Sequence, residues 1–313
     1  MRIAHTFREI PADLRDAVAP IGNFDGVHLG HRAVLEQARE EAARRRAPLG
    51  VVTFEPHPRQ FFAPDDPPFR LTDSAARARR LEKLGVEVLF ELPFDAALAA
   101  LSAEDFARDV VAGGLGLSHV VVGADFRFGR GRAGDVNTLN ELGRRFGFGV
   151  SVAELVSDAR GGISSTSIRN ALSAGRPEDA ARMLGHWHRI EGHVAHGEKR
   201  GRDLGFPTAN LTLAGLHLPR FGVYAVLVDV LDGPHAGSYG GAASLGVRPT
   251  FGVNAPNLEI HLLDFAGDLY GARLSVALVA FQRPELAFDG VDALVAQMHA
   301  DCHESRRLLA EVS

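Results

Sequence analysis

Cysteine and long apolar segments are nearly absent from this chain. A single cysteine, Cys302, occurs among its 313 residues, so no disulfide can form within the chain and a reducing compartment is expected. The N-terminal residues lack the apolar core of a secretory signal peptide, and no apolar run approaches the roughly 20 residues of a membrane helix. We therefore expect a cytoplasmic protein without a membrane partner.

Excess positive charge is also missing. The formal net charge is -5, whereas a protein whose main partner is nucleic acid is usually basic. Hydrophobic residues make up 46% and charged residues 23% of the chain, which is the balance of a soluble globular protein. The length suffices for two domains of ordinary size. We expect a globular protein without a nucleic-acid partner, and the composition leaves open whether it forms oligomers.

The first part of the chain alternates short apolar runs with helical patterns. The predicted strands are residues 17–22, 49–54, 86–92, 119–122 and 150–155. The predicted helices are residues 31–46, 74–84, 103–111 and 136–145, with Ser74 and Ser102 as N-caps and Gly85 after a helix end. This alternation predicts an α/β domain in which helices cover both faces of a parallel sheet.

The pattern changes after two further predicted helices, residues 167–173 and 177–184. Strands are predicted at residues 190–196, 223–230, 239–245, 258–263 and 274–281, with turn-rich loops between them. Because no helices separate these strands, we expect an antiparallel β-barrel, followed by a terminal helix at residues 291–309. The expected domains are residues 1–185 and 186–313.

The segment richest in chemistry is G-N-F-D-G-V-H-L-G-H at residues 22–31, between the first predicted strand and helix. This junction lies at the carboxyl edge of a parallel sheet, where ligands bind, and a helix start attracts phosphate. His28 and His31 are three residues apart, so both can face the same phosphate groups. The plainer interpretation is a pair of capping or packing histidines, but two of them at this position favour a function.

Four segments together resemble one known family. They are H-L-G-H at residues 28–31, F-E-P-H-P at 54–58, G-A-D-F-R-F-G at 123–129 and I-S-S-T-S-I-R at 163–169. In this order they resemble the bifunctional bacterial FAD synthetases, which combine riboflavin kinase and FMN adenylyltransferase activities. The resemblance implies that the first domain is a Rossmann-like nucleotidyltransferase, in which His28 and His31 are catalytic.

Adenylyl transfer requires positioning and charge neutralisation rather than a general base, because the attacking phosphate of FMN is already anionic. Ser164–Thr166 can hold the triphosphate of ATP or form a plain N-cap, and Asp125 can bind a ligand or merely end a strand. With the resemblance, the expected nucleotide-binding residues are Gly22, Asn23, Phe24, Asp25, Gly30, Ser164, Ser165, Thr166 and Arg169. Asp125 and Phe126 are the expected flavin-binding residues.

A second signature, G-E-K-R-G-R-D-L-G-F-P-T-A-N, occupies residues 197–210. It lacks the G-x-x-x-x-G-K-S/T pattern of P-loop kinases, yet a glycine-spaced basic loop can cradle phosphates; Lys199, Gly201 and Arg202 are the candidates. Thr208 and Asn210 alternate by two, so in an extended segment both oxygens can reach one Mg²⁺. By composition alone a basic surface hairpin is the simpler interpretation, but G-F-P-T-A-N resembles the flavokinase signature.

Glu259 is the expected catalytic base of the second domain, by resemblance of residues 244–251 and 258–265 to further flavokinase segments. The hydroxyl of riboflavin is a poor nucleophile until it loses its proton, so this reaction needs a base. Without the resemblance, a surface carboxylate would be the default interpretation.

The expected function is conversion of riboflavin to FMN and of FMN to FAD, with ATP as co-substrate, Mg²⁺ as cofactor, and FMN and FAD as product ligands. The alternative is a nucleotidyltransferase for another phosphorylated small molecule, with a regulatory ligand-binding barrel.

Overall fold

The computed structural model describes residues 1–154, 157–158, 161–195, 204–213, 215–247 and 256–312. Its contacts divide the chain into two compact units. The first unit comprises Met1–Asp66 and Ser74–Ile163, and the second comprises Pro67–Asp73 and Ser164–Ser313. This division of contacts lies at a different position from the functional boundary expected between residues 185 and 186, which stays a prediction.

The first unit is built on parallel strands, as predicted. Its strands are β1 (Arg2–Ala4), β2 (Val18–Pro20), β3 (Gly50–Glu55), β4 (Val88–Pro93), β5 (His119–Gly123) and β6 (Gly149–Ala153). They form two three-stranded sheets, in the orders β1-β4-β3 and β2-β5-β6. Parallel bridges from Val18 to Leu49 and from Ile21 to Val52 join β2 to β3. The carboxyl ends of neighbouring strands therefore meet at one edge. A short antiparallel pair, β7 (Ser157–Asp158) and β8 (Gly161–Gly162), follows.

Helices pack on both faces of this sheet because its strands are apolar on both faces. The helices are α1 (Leu29–Arg45), α2 (Pro58–Phe62), α3 (Ser74–Lys83), α4 (Ala96–Ala100), α5 (Ala103–Asp105), which continues as a π-helix (Phe106–Leu115), and α6 (Val136–Phe146). Phe90 of β4 belongs to the core that includes Leu139 of α6. Leu89, its neighbour, belongs to the core that includes Leu35 of α1, because successive strand residues point to opposite faces.

The helix-end predictions were right at two of three positions. The Ser102 hydroxyl accepts a hydrogen bond from the Asp105 N–H at 3.0 Å, so Ser102 is an N-cap. Gly85 follows α3 with a φ of 78°, the left-handed conformation that favours glycine. Ser74 is the correction: it is the first residue of α3, and its hydroxyl instead hydrogen-bonds the Glu91 carboxylate at 2.5 Å.

The second unit contains an antiparallel barrel, as predicted. It also contains α7 (Ser165–Ser173) and α8 (Pro177–Leu184), which were predicted as helices but within the expected first domain, residues 1–185. The barrel strands are β9 (Arg189–His193), β10 (Ala209–Thr212), β11 (Gly222–Val230), β12 (Gly237–Val247), β13 (Pro256–Leu262) and β14 (Arg273–Arg283). Their order is β10-β13-β12-β11-β14-β9, and a bridge from Ala195 to Asn210 nearly closes the circle. The terminal helix α9 (Val291–Ala310) packs through Cys302 and Leu309 against an apolar cluster that includes Ala225, Ala242 and Val279.

Candidate active sites

The turn between β2 and α1 is strained. Phe24 and Val27 have φ angles of 51° and 44°, in the left-handed region that residues with a β-carbon rarely adopt. Both side chains are buried, with 2% and 0% of their surface exposed, so packing holds them in place. Such backbone conformations cost about 1–3 kcal/mol each and cluster at functional sites. The sequence predicted a loop here but gave no sign of the strain.

His28 forms the N-cap of α1. Its Nδ1 accepts a hydrogen bond from the backbone N–H of His31 at 3.3 Å. In a neutral imidazole with an accepting Nδ1, the proton resides on Nε2. Burial lowers the pKa of His28 to about 4 from the ordinary 6.5, so the ring is neutral near pH 7. His28 therefore presents one N–H donor, and the capping role considered from sequence is combined with a donor suited to a phosphoryl oxygen.

His31 stacks on His28. The ring centroids are 3.7 Å apart with an interplanar angle of 16°, and the Phe24 ring lies 4.9 Å from His31 on a tilted plane. Burial, and to a lesser extent His28, lower the pKa of His31. Its Nδ1 is buried and makes no hydrogen bond within the described part of the chain. A β-carbon at residue 30 would lie 3.1 Å from the His28 ring, so Gly30 makes room for the stacked pair.

The lowered pKa of His28 predicts a pH dependence of stability. The unfolded chain, with a pKa near 6.5, binds this proton more readily than the folded chain, with a pKa of about 4. The contribution of neutral His28 to the free energy of unfolding is therefore fully present above pH 6.5 and is lost as the pH falls towards 4. The loss amounts to about 3 kcal/mol. His28→Asn keeps a capping oxygen but does not titrate. Urea unfolding at pH 6.5 and at pH 4 should show a smaller loss in the free energy of unfolding for His28→Asn than for the parent. Equal losses would contradict the prediction.

The other predicted residues of this turn occupy the same junction. Asp25 is buried, and Gly22 and Asn23 are partly exposed. A β-carbon on Gly22 would make only ordinary contact with the Phe24 ring, at 3.4 Å, so sterics alone do not require glycine there. Binding of nucleotide by these residues stays a prediction.

Asp125 and Phe126 follow β5, which neighbours β2 in the sheet, so both lie at the same edge as the His28 turn. The N–H of Phe126 donates to the Gly123 carbonyl at 3.0 Å, which closes a turn. The Phe126 ring stacks on Phe128, with centroids 5.5 Å apart and an interplanar angle of 15°. Asp125 is exposed. This placement suits a ligand-facing turn, and flavin binding by the two residues stays a prediction.

The I-S-S-T-S-I-R segment lies mainly in the second unit and begins α7. Ser164 is the N-cap, since its hydroxyl accepts from the Ser167 N–H at 3.1 Å. The Arg169 guanidinium donates to the Thr166 hydroxyl at 3.2 Å and to the Phe69 carbonyl at 3.4 Å. Ser164 thus has the capping role weighed from sequence. Nucleotide binding by Ser164, Ser165, Thr166 and Arg169 stays a prediction.

The barrel brings two of the predicted kinase residues to one face, because Asn210 of β10 lies directly opposite Glu259 of β13. Thr208 lies just before β10, two residues before Asn210. The neighbours of Glu259, Leu258 and Ile260, are fully buried in the barrel core, so Glu259 points to the other face, as the strand alternation predicted. Lys199, Gly201 and Arg202 lie outside the described residues, and so do residues 248–251 of another predicted segment.

Asn257 is a polar residue of this face that sequence reasoning missed. Its amide donates to Asn210 Oδ1 at 2.9 Å and lies 3.5 Å from Glu259 Oε1. It is two residues before Glu259, so the period of a strand places both side chains on one face. That spacing was the available signal, but the contact with Asn210 required the pairing of β10 with β13. The arrangement joins the carboxylate of Glu259 to a candidate metal ligand, Asn210.

Two family models cover most of the chain. The FAD synthetase model matches residues 10–167, and the riboflavin kinase model matches residues 184–309. No helix within the described residues is long and apolar enough to cross a membrane.

Relatives and a solved structure match along nearly the full length. The bifunctional riboflavin kinase/FMN adenylyltransferase of Pseudomonas fluorescens is 43% identical, over 99% of this chain and 98% of its own. The protein of the same description from Escherichia coli K12 is 40% identical, over 96% and 95%. A crystal structure described as a macrolide-efflux protein from Streptococcus pneumoniae has a TM-score of 0.83 and 32% identity, covering 96% of both chains. The chain belongs to the family of bifunctional riboflavin kinase/FMN adenylyltransferases.

Proposed function

We propose that this protein phosphorylates riboflavin to FMN and adenylylates FMN to FAD, with ATP consumed in both steps, in the cytoplasm. The observation that carries the proposal is that each of the two matched regions contains a separate group of polar side chains suited to one of the two reactions. The H-x-G-H turn lies within residues 10–167, and the Asn210–Glu259 pair lies within residues 184–309. The expected domains, residues 1–185 and 186–313, correspond to the two activities.

In the adenylyl step, a phosphate oxygen of FMN bonds to the α-phosphorus of ATP, and the bond to pyrophosphate breaks. No proton must be removed from the nucleophile, so the protein needs donors and positioning rather than a base. The neutral His28 ring supplies an N–H for a phosphoryl oxygen, and His31 is stacked beside it. The residues proposed to bind nucleotide in this step are Gly22, Asn23, Phe24, Asp25, Gly30, Ser164, Ser165, Thr166 and Arg169. Asp125 and Phe126 are proposed to contact the flavin.

In the kinase step, Glu259 accepts the proton of the riboflavin 5′-hydroxyl as its oxygen bonds to the γ-phosphorus of ATP, and ADP leaves. Glu259 is half-buried, with Asn210 opposite on one side and Ser244 on the other. These neighbours support Glu259 as the base, because a general base must act from a fixed position within hydrogen-bond reach of the proton that it accepts. Lys199, Gly201 and Arg202 are proposed to bind the phosphates of ATP.

The donor set around Asn210 fits Mg²⁺. Magnesium prefers oxygen ligands and commonly combines one or two protein ligands with substrate phosphates. Thr208 offers a hydroxyl and Asn210 an amide oxygen, whose orientation is set by the hydrogen bond from Asn257. When bound, the ion would neutralise charge on the ATP phosphates. No group of three or more His, Cys, Asp or Glu residues in the described chain forms a separate metal site.

Product analysis of the purified full-length protein tests the proposal directly. Incubation with riboflavin, ATP and Mg²⁺ should give FMN, ADP, and then FAD and pyrophosphate. FMN supplied with ATP and Mg²⁺ should give FAD in the absence of riboflavin. A protein that adenylylates another phosphorylated compound but leaves riboflavin and FMN unchanged would favour the alternative of a nucleotidyltransferase with a regulatory barrel.

A further inference from the structure

One main-chain carbonyl in the strained turn receives two buried donors. The Thr53 hydroxyl donates to the Asn23 carbonyl oxygen at 3.2 Å, and the Arg77 guanidinium reaches the same oxygen at 3.5 Å. Both donor residues are completely buried, with 0% of their surface exposed. They come from β3 and α3, so three separate segments of the first unit converge on this oxygen.

The guanidinium of Arg77 is itself held in a fixed position. It donates to the Glu91 carboxylate at 2.6 Å and to the Glu55 carboxylate at 3.0 Å. The Ser74 hydroxyl hydrogen-bonds Glu91 as well, and the His5 ring lies 3.5 Å from it. A buried charge is costly unless it is paired and hydrogen-bonded, so these contacts leave Arg77 little freedom. Arg77 thus links the loop after β2 to the end of β3 and to β4.

Holding the Asn23 carbonyl restricts the most strained part of the turn. This oxygen belongs to the peptide plane between Asn23 and Phe24, and a flip of that plane would change φ at Phe24. Phe24 adopts a φ of 51°, a strained conformation that persists only where the surrounding structure holds it, here by the packing of its buried ring and by the two contacts to the Asn23 carbonyl. The two donors therefore stabilise the plane in the orientation that the left-handed Phe24 requires.

Phe24 connects this anchor to the histidines. Its buried ring lies 4.9 Å from His31, and His31 stacks on His28 at 3.7 Å. A reoriented Phe24 would remove support from the stacked pair. Displacements of about 1 Å in positioned groups can lower rates by up to about 10²-fold.

We propose that Thr53 and Arg77 are positioning residues for FMN adenylylation, which hold the Asn23–Phe24 peptide plane and through it the His28–His31 pair. The proposed role places neither residue in contact with the reacting groups. The inference rests on the proposed adenylyl transfer at this turn.

Two substitutions at Thr53 separate the hydroxyl from the packing. Thr53→Val keeps the shape and removes the donor, whereas Thr53→Ser keeps the donor and removes a methyl group. Conversion of FMN to FAD should fall about 10- to 100-fold in Thr53→Val, mainly in kcat, and stay within about threefold of the parent in Thr53→Ser. Riboflavin phosphorylation by the same molecules should be unchanged, and histidine ring NMR signals should shift in Thr53→Val but not in Thr53→Ser.

Arg77→Lys tests the proposal independently. Lysine keeps a positive charge towards Glu91 but lacks the planar fork that reaches two carboxylates and a carbonyl together. FAD formation should fall, and the double variant with Thr53→Val should lose less than the product of the single losses, because both donors act on one oxygen.

The outcomes distinguish this inference from the proposed function. A parent protein that does not convert FMN to FAD would overturn both. If the parent makes FAD and Thr53→Val is equally active, only the positioning role is overturned. The same holds if Thr53→Val and Thr53→Ser are equally impaired. Equal loss of both activities in Thr53→Val would also overturn it, because it would show general damage to the fold.

Discussion

Replacing Glu259 with glutamine should lower FMN formation from riboflavin by about 10²–10⁴-fold, the usual contribution of general-base catalysis. The two activities differ in their need for a base: the kinase must activate a neutral hydroxyl, whereas the adenylyl step uses a phosphate that is already charged. Only the kinase should therefore depend on this carboxylate. The loss should appear mainly in kcat, because binding of riboflavin and ATP does not require an ionised side chain at this position.

The structure makes Glu259→Gln a clean substitution. Glutamine has the size of glutamate and retains an oxygen that can accept the hydrogen bond directed at Glu259 by the Asn257 amide. The adjacent Leu258 and Ile260 stay in the barrel core. The variant therefore removes the ability to accept a proton and leaves the packing of β13 and its pairing with Asn210 in place.

Asp264 provides the matched control. It lies in the turn after β13, with an exposed side chain that accepts a hydrogen bond from Arg306 at 2.8 Å. Its φ of 55° suits asparagine as well as aspartate. Asp264→Asn should phosphorylate riboflavin at close to the parent rate. If Glu259→Gln did so and Asp264→Asn did not, the base would be Asp264, and Glu259 would leave the mechanism.

The positions of most strands, and of the candidate site residues at their ends, could be predicted because both depend on local patterns. Continuous apolar runs predicted the parallel strands, and alternation around Glu259 predicted which face it occupies. His28 and His31 were found because the junction from a strand to the following helix lies at the carboxyl edge of such a sheet, where ligands bind. Short elements were missed: β1 has three residues and β10 has four, too few for a periodic signal.

Contacts between distant residues could not be predicted in this way. Thr53 and Arg77 are 30 and 54 positions from Asn23, yet both donate to its carbonyl. The amide of Asn257 reaches Asn210 across 47 positions. The left-handed backbone of Phe24 and Val27 was equally unexpected, because their side chains argue locally against it. These features exist only once the strands are assembled, and they surround the two groups of candidate catalytic residues.

Replacing His28 with alanine should lower FAD formation from FMN by about 10²–10³-fold, the scale of losing one preorganised donor to a developing charge. The donor is neutral, because burial lowers the pKa of His28 to about 4, and its Nδ1 is occupied by the His31 N–H. Riboflavin phosphorylation should be nearly unchanged, so FMN should accumulate when the variant is given riboflavin and ATP.

Alanine removes the N-cap of α1 together with the donor, and His28→Asn separates the two. Asparagine is among the best N-cap residues, so it should restore most of the stability that alanine loses, about 1 kcal/mol. Its shorter side chain does not place an N–H where the His28 Nε2 lies, so FAD formation should remain as low as in His28→Ala. If His28→Asn instead recovered the parent rate, the cap and not the imidazole donor would be what the adenylyl step requires, and the proposed role of His28 in charge stabilisation would be wrong.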